Sequence, residues 1–239
     1  INGHLIRYYE GGEGKPLLLI HGAGATAKLW HRQSGPFANH FRVIAPDLPG
    51  FGGSMQAPEI KSVRDYARFL SQFLSTVNAP RASVIGSSMG GWAALWLAVD
   101  FSRLVDRLVL VSPAGVHRAT DPSMPVDEVL REIENYYKSI SGEMTGVKPS
   151  EEMTKAIKTI KEIDDARGFV PDIEQELPEI KAPALIIWGK DDRVIPSSYA
   201  DVFAGAIPDA RVRIMEGAGH LPYIEKAEEF NQIVMDFLT

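Results

Sequence analysis

The chain has 239 residues, of which 45% are hydrophobic and 23% are charged, and its formal net charge is −6. This length suits one large α/β domain with or without an insertion, and the negative charge argues against nucleic acid or an anionic membrane as the main partner. Because the chain contains no cysteine, disulfides, thiolate metal sites and a cysteine nucleophile are excluded.

Short β-branched and leucine-rich runs recur along the chain and predict strands. They lie at residues 4–9, 17–20, 41–45, 82–85, 107–111, 184–188 and 211–215. Apolar residues fall at helical spacing between several of these runs, most clearly over 63–77, and again over 230–238 at the end of the chain. Apolar strands that alternate with amphipathic helices predict an α/β fold, a mostly parallel twisted sheet with helices on both faces. The ligand chemistry of such sheets collects at the carboxyl ends of the strands.

The region from about residue 116 to residue 181 breaks this alternation, because it contains no strand pattern. Two amphipathic helices are predicted instead, over 126–140 and 153–160, with the polar connector 141–150 between them. Such an insertion is either packing material or a lid. We favour the lid, because the insertion leaves from the sheet edge that carries the candidate nucleophile described below.

The predicted division is therefore a core domain of residues 1–115 and 182–239 with a small helical cap of residues 116–181. Apolar and aromatic side chains in the cap are candidates for the substrate pocket, although their helical spacing assigns most of them to packing. They are Met124, Tyr136, Tyr137, Met144, Met153 and Phe169.

The pentapeptide at residues 86–90 reads Gly-Ser-Ser-Met-Gly between a strand pattern and a helix pattern. This G-x-S-x-G spacing is typical of a nucleophilic serine held on a tight strand–turn–helix. Only Ser88 has a glycine two residues away on each side, so Ser88, and not Ser87, is the candidate nucleophile. We expect a Cβ atom at Gly86 or Gly90 to collide across the turn. The alternative is a glycine-rich loop that only turns the chain.

A serine nucleophile needs a base, and the base needs an orienting carboxylate. Of the six histidines, His220 has the best context, because it lies in a glycine-rich loop after the last predicted strand. His4 is predicted to lie in the first strand. The acid should follow the strand at 184–188, where Asp191 and Asp192 both remain candidates.

Acyl chemistry also needs N–H donors for an oxyanion. The backbone N–H of Met89, directly after the nucleophile, is one candidate, and that of Ala23 in the loop after the strand at 17–20 is the other. Gly22 and Gly24 let this loop approach closely, and His21 is predicted to hold its shape rather than to act as a base. The alternative for this loop is an ordinary glycine-rich turn.

These blocks and their order resemble the α/β-hydrolase superfamily, from Gly3 to the last helix. The resemblance rests on His21 to Gly24, on the run Ala-Pro-Asp-Leu-Pro-Gly-Phe-Gly-Gly-Ser at 45–54, on 86–91, on 188–196 and on Gly219-His220. It implies that the acid is Asp192, four residues before Pro196, and that Asp47 shapes a loop. The family's sheet has eight strands and seven are predicted here, so we expect a strand to be missing before Ile1.

The resemblance also implies which reactions are to be expected. Relatives with an aspartate nucleophile are excluded by Ser88, and the closest similarity is to small carboxylesterases and to the C–C hydrolases of meta-cleavage products. Those C–C hydrolases usually carry a further glycine–proline run after H-G-x-G, whereas Ala25-Thr26 follows here. The main prediction is therefore a carboxylic ester hydrolase with an acyl-enzyme intermediate, and C–C hydrolysis is the alternative.

The same three residues support thioester or amide cleavage, perhydrolysis and cyanohydrin lysis, and a third reading is a low-turnover small-molecule receptor of this fold. The predicted partner is a small-molecule ester, with no cofactor, no metal and no nucleic acid. No apolar run reaches the length of a membrane span and no signal peptide precedes the first strand, so a cytoplasmic location is the default. A monomer and a homodimer are equally compatible with the sequence.

Overall fold

The computed structural model describes residues 1–116, 158–163 and 173–239. Within these residues seven strands form one sheet of order β1-β3-β2-β4-β5-β6-β7. Strand β1 pairs antiparallel with β3, and every other neighbouring pair is parallel. The predicted mostly parallel sheet is thereby confirmed. The strands are β1 (Tyr8–Gly11), β2 (Pro16–Ile20), β3 (Arg42–Pro46), β4 (Ala82–Ser87), β5 (Val105–Val111), β6 (Ala184–Gly189) and β7 (Ala210–Met215).

Helices cover both faces of this sheet, as predicted. They are α1 (His31–Ala38), α2 (Val63–Thr76), α3 (Met89–Asp100), α4 (Ala200–Ala206), α5 (Pro222–Glu225) and α6 (Ala227–Leu238). Two buried apolar clusters result, because alternate strand residues face opposite layers. One cluster contains side chains of α2, α3 and α4, and the other contains side chains of α1, α5 and α6. Short 3-10 helices lie at Ala27–Trp30, Ser102–Leu104, Glu174–Glu179 and Ser197–Tyr199.

The start of the first strand is predicted wrongly. Strand β1 begins at Tyr8, and His4 lies before it, where its ring contacts the Glu59 carboxylate at 3.2 Å. Backbone groups of residues 5–7 bond to the loop after β3 instead of to a strand. The N–H of Met55 donates to the carbonyl of Leu5 at 2.9 Å, and the N–H of Asp47 donates to the carbonyl of Arg7 at 2.9 Å. These residues therefore lie outside the sheet, because their hydrogen-bond partners belong to a loop.

Only a small part of the predicted cap lies among the described residues. Residues 158–163 are helical, and Thr159 donates a hydrogen bond from Oγ1 to the Gly50 carbonyl at 3.0 Å in the loop after β3. The six candidate pocket residues and the predicted helix over 126–140 lie outside the described residues. The boundaries of the cap therefore remain a prediction.

The parallel order brings the loops that contain the predicted site residues to one edge of the sheet. Ala23 lies in the loop after β2, Ser88 follows β4, Asp192 lies in the loop after β6, and His220 lies in the loop after β7. Loops that follow parallel strands lie at the same edge, so the fold places the candidate residues in a common region.

Among the described residues, no helix is both long enough and apolar enough to span a bilayer.

Candidate active site

Ser88 occupies the sharp turn between β4 and α3. Its backbone angles are φ 53° and ψ −121°, in a region that a residue with a side chain seldom adopts. Three backbone hydrogen bonds stabilise this strained conformation. The Ser88 N–H donates to the Val111 carbonyl at 2.9 Å, and the Ser88 carbonyl accepts from the N–H groups of Trp92 and Ala114 at 3.1 and 3.2 Å. Strained backbone of this kind concentrates at functional sites. Ser87, in contrast, ends β4 and is fully buried.

The two glycines of the pentapeptide are required for different reasons. A Cβ atom on Gly86 would collide with the backbone of Gly90, as predicted for a clash across the turn. A Cβ atom on Gly90 would instead collide with the carbonyl groups of Ile20 and His21. The collision expected at Gly90 thus occurs, and its nearest atoms belong to the end of β2 and the loop after it. This glycine allows α3 to start against the end of β2, which brings the two loops together.

The loop after β2 lies directly against the candidate nucleophile. A Cβ atom on Gly22 would be 3.1 Å from Ser88 Cβ and 3.7 Å from Ser88 Oγ. The loop closes with a hydrogen bond from the Ala25 N–H to the Gly22 carbonyl at 3.3 Å, and Gly24 has a φ of 72°. Met89 opens α3, where the first N–H groups lack intrahelical acceptors. Ala23 follows Gly22 in the loop that lies against Ser88, and its role as the second donor stays a prediction.

His21 is fully buried and its two ring nitrogens have separate backbone partners. Nε2 lies 2.9 Å from the Leu48 N–H, which donates to it, so Nδ1 carries the proton and donates to the Gly22 carbonyl at 2.8 Å. Burial lowers the pKa of His21, because the charged imidazolium would lose its hydration. A neutral ring with both nitrogens occupied supports the predicted loop-shaping role and leaves no free atom for a base.

Asp47 is also buried, and its contacts link the loops around β2 and β3. Its carboxylate accepts hydrogen bonds from Arg7 Nε at 2.6 Å, from the Ala27 N–H at 2.8 Å and from the Gly53 N–H at 2.8 Å. The ion pair with Arg7 compensates the cost of burying its charge. These contacts support the loop-shaping role that the resemblance implies.

Asp192 and His220 meet at the ends of β6 and β7. Asp192 Oδ2 lies 2.9 Å from His220 Nδ1, and both side chains are buried. Since a carboxylate only accepts hydrogen bonds, Nδ1 carries the proton and Nε2 keeps a free lone pair that can take a proton. Asp191 is exposed and faces a groove of about 320 Å³ that is also lined by Arg193 and His220. The structure therefore places Asp192, and not Asp191, against the histidine.

The Asp192 carboxylate has further donors that the sequence reasoning missed. Trp188 Nε1 donates to Oδ2 at 3.1 Å, and the N–H groups of Val194 and Ile195 donate to Oδ1 at 2.9 and 3.0 Å. The carboxylate is held in a single orientation by these contacts. The sequence signal for Trp188 is weak, since an aromatic residue near the end of a buried strand is usually a packing residue.

Among the described residues, no group of three or more histidine, aspartate or glutamate side chains could hold a metal ion.

Comparison with known proteins gives a match along most of the chain. A family model described as the alpha/beta hydrolase family matches residues 17–233. The chain is 28% identical to the 2-hydroxy-6-oxo-6-phenylhexa-2,4-dienoate hydrolase of Comamonas testosteroni, over an alignment of 267 positions. The alignment covers 100% of this chain and 92% of that protein. It is 31% identical to the 2-hydroxy-6-oxo-6-(2'-aminophenyl)hexa-2,4-dienoic acid hydrolase of Metapseudomonas resinovorans, covering 98% of this chain and 87% of that protein.

A solved structure of a protein with a different activity is also similar to this chain. The structure described as a membrane phospholipase A and a novel bacterial virulence factor superimposes with a TM-score of 0.82 at 30% identity, covering 100% of this chain and 83% of that chain. The similar proteins thus include both dienoate hydrolases and a phospholipase.

Proposed function

Because the chain belongs to the alpha/beta hydrolase family, we propose that it is a serine hydrolase that cleaves a carbon–carbon bond next to a ketone in a 2-hydroxy-6-oxodienoate. The catalytic residues are Ser88, His220 and Asp192. The observation that supports the serine mechanism is the buried Asp192–His220 pair at the sheet edge where Ser88 occupies its strained turn. The similarity to two dienoate hydrolases supports the choice of bond.

In this proposal Ser88 Oγ attacks the ketone carbon C6 while His220 Nε2 takes the serine proton. Asp192 holds the imidazole in the required tautomer and stabilises the imidazolium that forms. The N–H groups of Ala23 and Met89 bind the negative oxygen of the tetrahedral intermediate. In this proposal the loops after the strands hold these groups in the orientation that an acyl-transfer step requires.

Cleavage of the carbon–carbon bond requires that the electron pair of that bond be delocalised onto an electronegative atom. Transfer of the proton from the C2 hydroxyl to C5 first gives the C2 ketone with a C3–C4 double bond. When the tetrahedral intermediate collapses, the C5–C6 electron pair flows through that double bond to the C2 oxygen, and His220 returns its proton to the resulting enolate. Water activated by His220 then cleaves the acyl-serine, so that one water is consumed and one carboxylic acid and one 2-hydroxydiene acid are released.

A second candidate is carboxylic ester hydrolysis, the main prediction from sequence. It uses the same residues with an alkoxide as leaving group, and the similarity to the phospholipase A structure at 30% identity favours it. Carbon–carbon cleavage is the first candidate, because two dienoate hydrolases align with nearly the whole chain. The sequence alone favours ester hydrolysis over carbon–carbon cleavage.

The deciding experiment supplies the purified protein with 2-hydroxy-6-oxo-6-phenylhexa-2,4-dienoate and, separately, with p-nitrophenyl butyrate. The proposal predicts benzoate and 2-hydroxypenta-2,4-dienoate from the first compound, with a higher kcat/KM than for the ester. Turnover of the ester without turnover of the dienoate would replace the proposal with the second candidate. Binding of either compound without steady-state turnover would instead indicate a receptor, and Ser88→Ala is the control for both assays.

A further inference from the structure

Glu225 touches the loop of the candidate base on both sides of His220. Its Oε2 atom accepts a hydrogen bond from the Gly219 N–H at 2.7 Å, and its Oε1 atom accepts one from the Leu221 N–H at 3.1 Å. One carboxylate thus bridges the two residues that flank the histidine in the chain. Hydrogen bonds from N–H groups to a carboxylate are shorter and stronger than those between neutral groups.

We propose that Glu225 is a positioning residue for His220, with its carboxylate fixing the backbone of the histidine loop by one hydrogen bond on each side. This inference rests on the proposed function, in which His220 is the base. Glu225 does not contact the reacting atoms in this account, and it acts only through the place that it gives to the imidazole.

The histidine loop needs such a constraint because of its composition. Between Met215 and Leu221 it contains Gly217, with a φ of 63°, and Gly219, and glycine has more conformational freedom than any other residue. The hydrogen bond from His220 to Asp192 fixes the ring at a single nitrogen, Nδ1. The backbone before the histidine has one further hydrogen bond, from the Asp191 N–H to the Ala218 carbonyl at 2.9 Å. Glu225 adds a hydrogen bond at each of the two residues that directly flank His220.

The Glu225 side chain is exposed, and the short helix that carries it is anchored to α1. Glu225 ends helix α5, where the ring of Tyr223 stacks on Trp30 with centroids 4.2 Å apart. The Tyr223 carbonyl accepts a hydrogen bond from Gln33 Nε2 of α1 at 2.7 Å. Contacts therefore connect α1 through α5 to the histidine loop. They fix the position of the backbone from which the Glu225 side chain extends.

A purely structural role predicts a different result, since Glu225 also satisfies the N–H of Leu221, the residue that precedes α5. If the carboxylate served only to stabilise this helix, its loss would reduce the amount of folded protein and leave each folded molecule fully active. If it positions His220, each folded molecule turns over more slowly. The two roles are separated by kcat per active site, with sites counted by stoichiometric labelling of Ser88 with a fluorophosphonate.

The experiment compares Glu225→Ala and Glu225→Gln with wild type and with Glu229→Ala, which removes an acidic side chain that pairs with Lys226 instead. Because a misplacement of about 1 Å can cost about 100-fold, we expect Glu225→Ala to lower kcat per labelled site by about 10- to 100-fold with little change in KM. Glu225→Gln keeps one acceptor oxygen and should lose less, and Glu229→Ala should match wild type.

A wild-type kcat per labelled site in Glu225→Ala overturns the inference, whatever happens to its melting temperature. If that variant does not fold, Glu225→Gln decides: a loss of about threefold or more, the equivalent of one neutral hydrogen bond, supports the inference, and a wild-type value overturns it. The proposed function is tested separately by Ser88→Ala. Loss of activity in Ser88→Ala with full activity in Glu225→Ala would leave the function intact and remove only the positioning role.

Discussion

The carboxylate oxygen Oδ2 of Asp192 lies 2.9 Å from Nδ1 of His220, and the two side chains are 0% and 6% exposed. Because both side chains are buried, water does not compete for the hydrogen bond between them. The bond at Nδ1 selects the imidazole tautomer in which Nε2 can take a proton. The neighbouring Asp191 is exposed and is not the hydrogen-bond partner of His220. The difference between two adjacent aspartates gives the first test.

Asp192→Asn is expected to lower kcat by roughly 10,000-fold, because an amide can present its N–H to His220 and impose the wrong tautomer. Asp191→Asn is the matched control, with the same chemical change one residue away, and should stay within about twofold of wild type, as surface substitutions usually do. The measurement is kcat on whichever of the two assay substrates wild type turns over. Equal losses in both variants would contradict the assignment of the acid.

Gly22→Ala should lower kcat by about 100-fold through displacement of the predicted oxyanion loop. The added methyl would lie 3.1 Å from Ser88 Cβ and 3.2 Å from the Ser87 carbonyl, and the strained turn cannot yield easily. Gly35→Ala is the control, because Gly35 lies in α1 with no atom within 4 Å of the new methyl. That variant should keep full activity, because Gly35 has no predicted role in the site. A fully active Gly22→Ala would argue against a role for this loop.

Acid should destabilise the protein through His21. Burial lowers the pKa of this residue below the unfolded value of 6.5. As the pH falls below that value, the unfolded chain takes up a proton that the folded chain does not. The free energy of unfolding should therefore fall by up to about 1.4 kcal/mol per pH unit until the pH reaches the lowered pKa.

The measurement for His21 is urea unfolding at pH 7 and at pH 5, with His21→Gln as the comparison. Glutamine can still accept from the Leu48 N–H but does not titrate, so its unfolding free energy should depend less steeply on pH than that of wild type. Identical pH dependence in the two proteins would mean that His21 does not carry this effect.

The sheet could be predicted from the sequence because its strands are continuous apolar runs bounded by turn residues. Strand β2 was predicted at 17–20 and is observed at Pro16–Ile20, and the helix predicted over 63–77 is observed as Val63–Thr76. The start of the first strand is predicted too early, because residues that bond to a loop can carry the same local pattern as a strand. Local pattern does not identify the hydrogen-bonding partner of a segment.

The site was less predictable than the fold, for a physical reason. The G-x-S-x-G spacing identifies Ser88, since only that spacing suits the turn. Asp191 and Asp192 are indistinguishable by local pattern, and family resemblance was needed to choose between them. Contacts of Trp188 and Glu225 could not be predicted, because they depend on how a strand end and a short helix pack against the neighbouring loops.

The central claim is that hydrolysis depends on Ser88, and it is tested most directly by kcat of Ser88→Ala beside Ser87→Ala on the dienoate and on p-nitrophenyl butyrate. Loss of the nucleophile should lower kcat by something on the order of a million-fold on every substrate that wild type turns over. Ser87→Ala, at the buried end of β4, should retain substantial turnover. A Ser88→Ala protein that keeps more than about a few per cent of wild-type kcat, far above the residual rate expected without the nucleophile, would contradict the account.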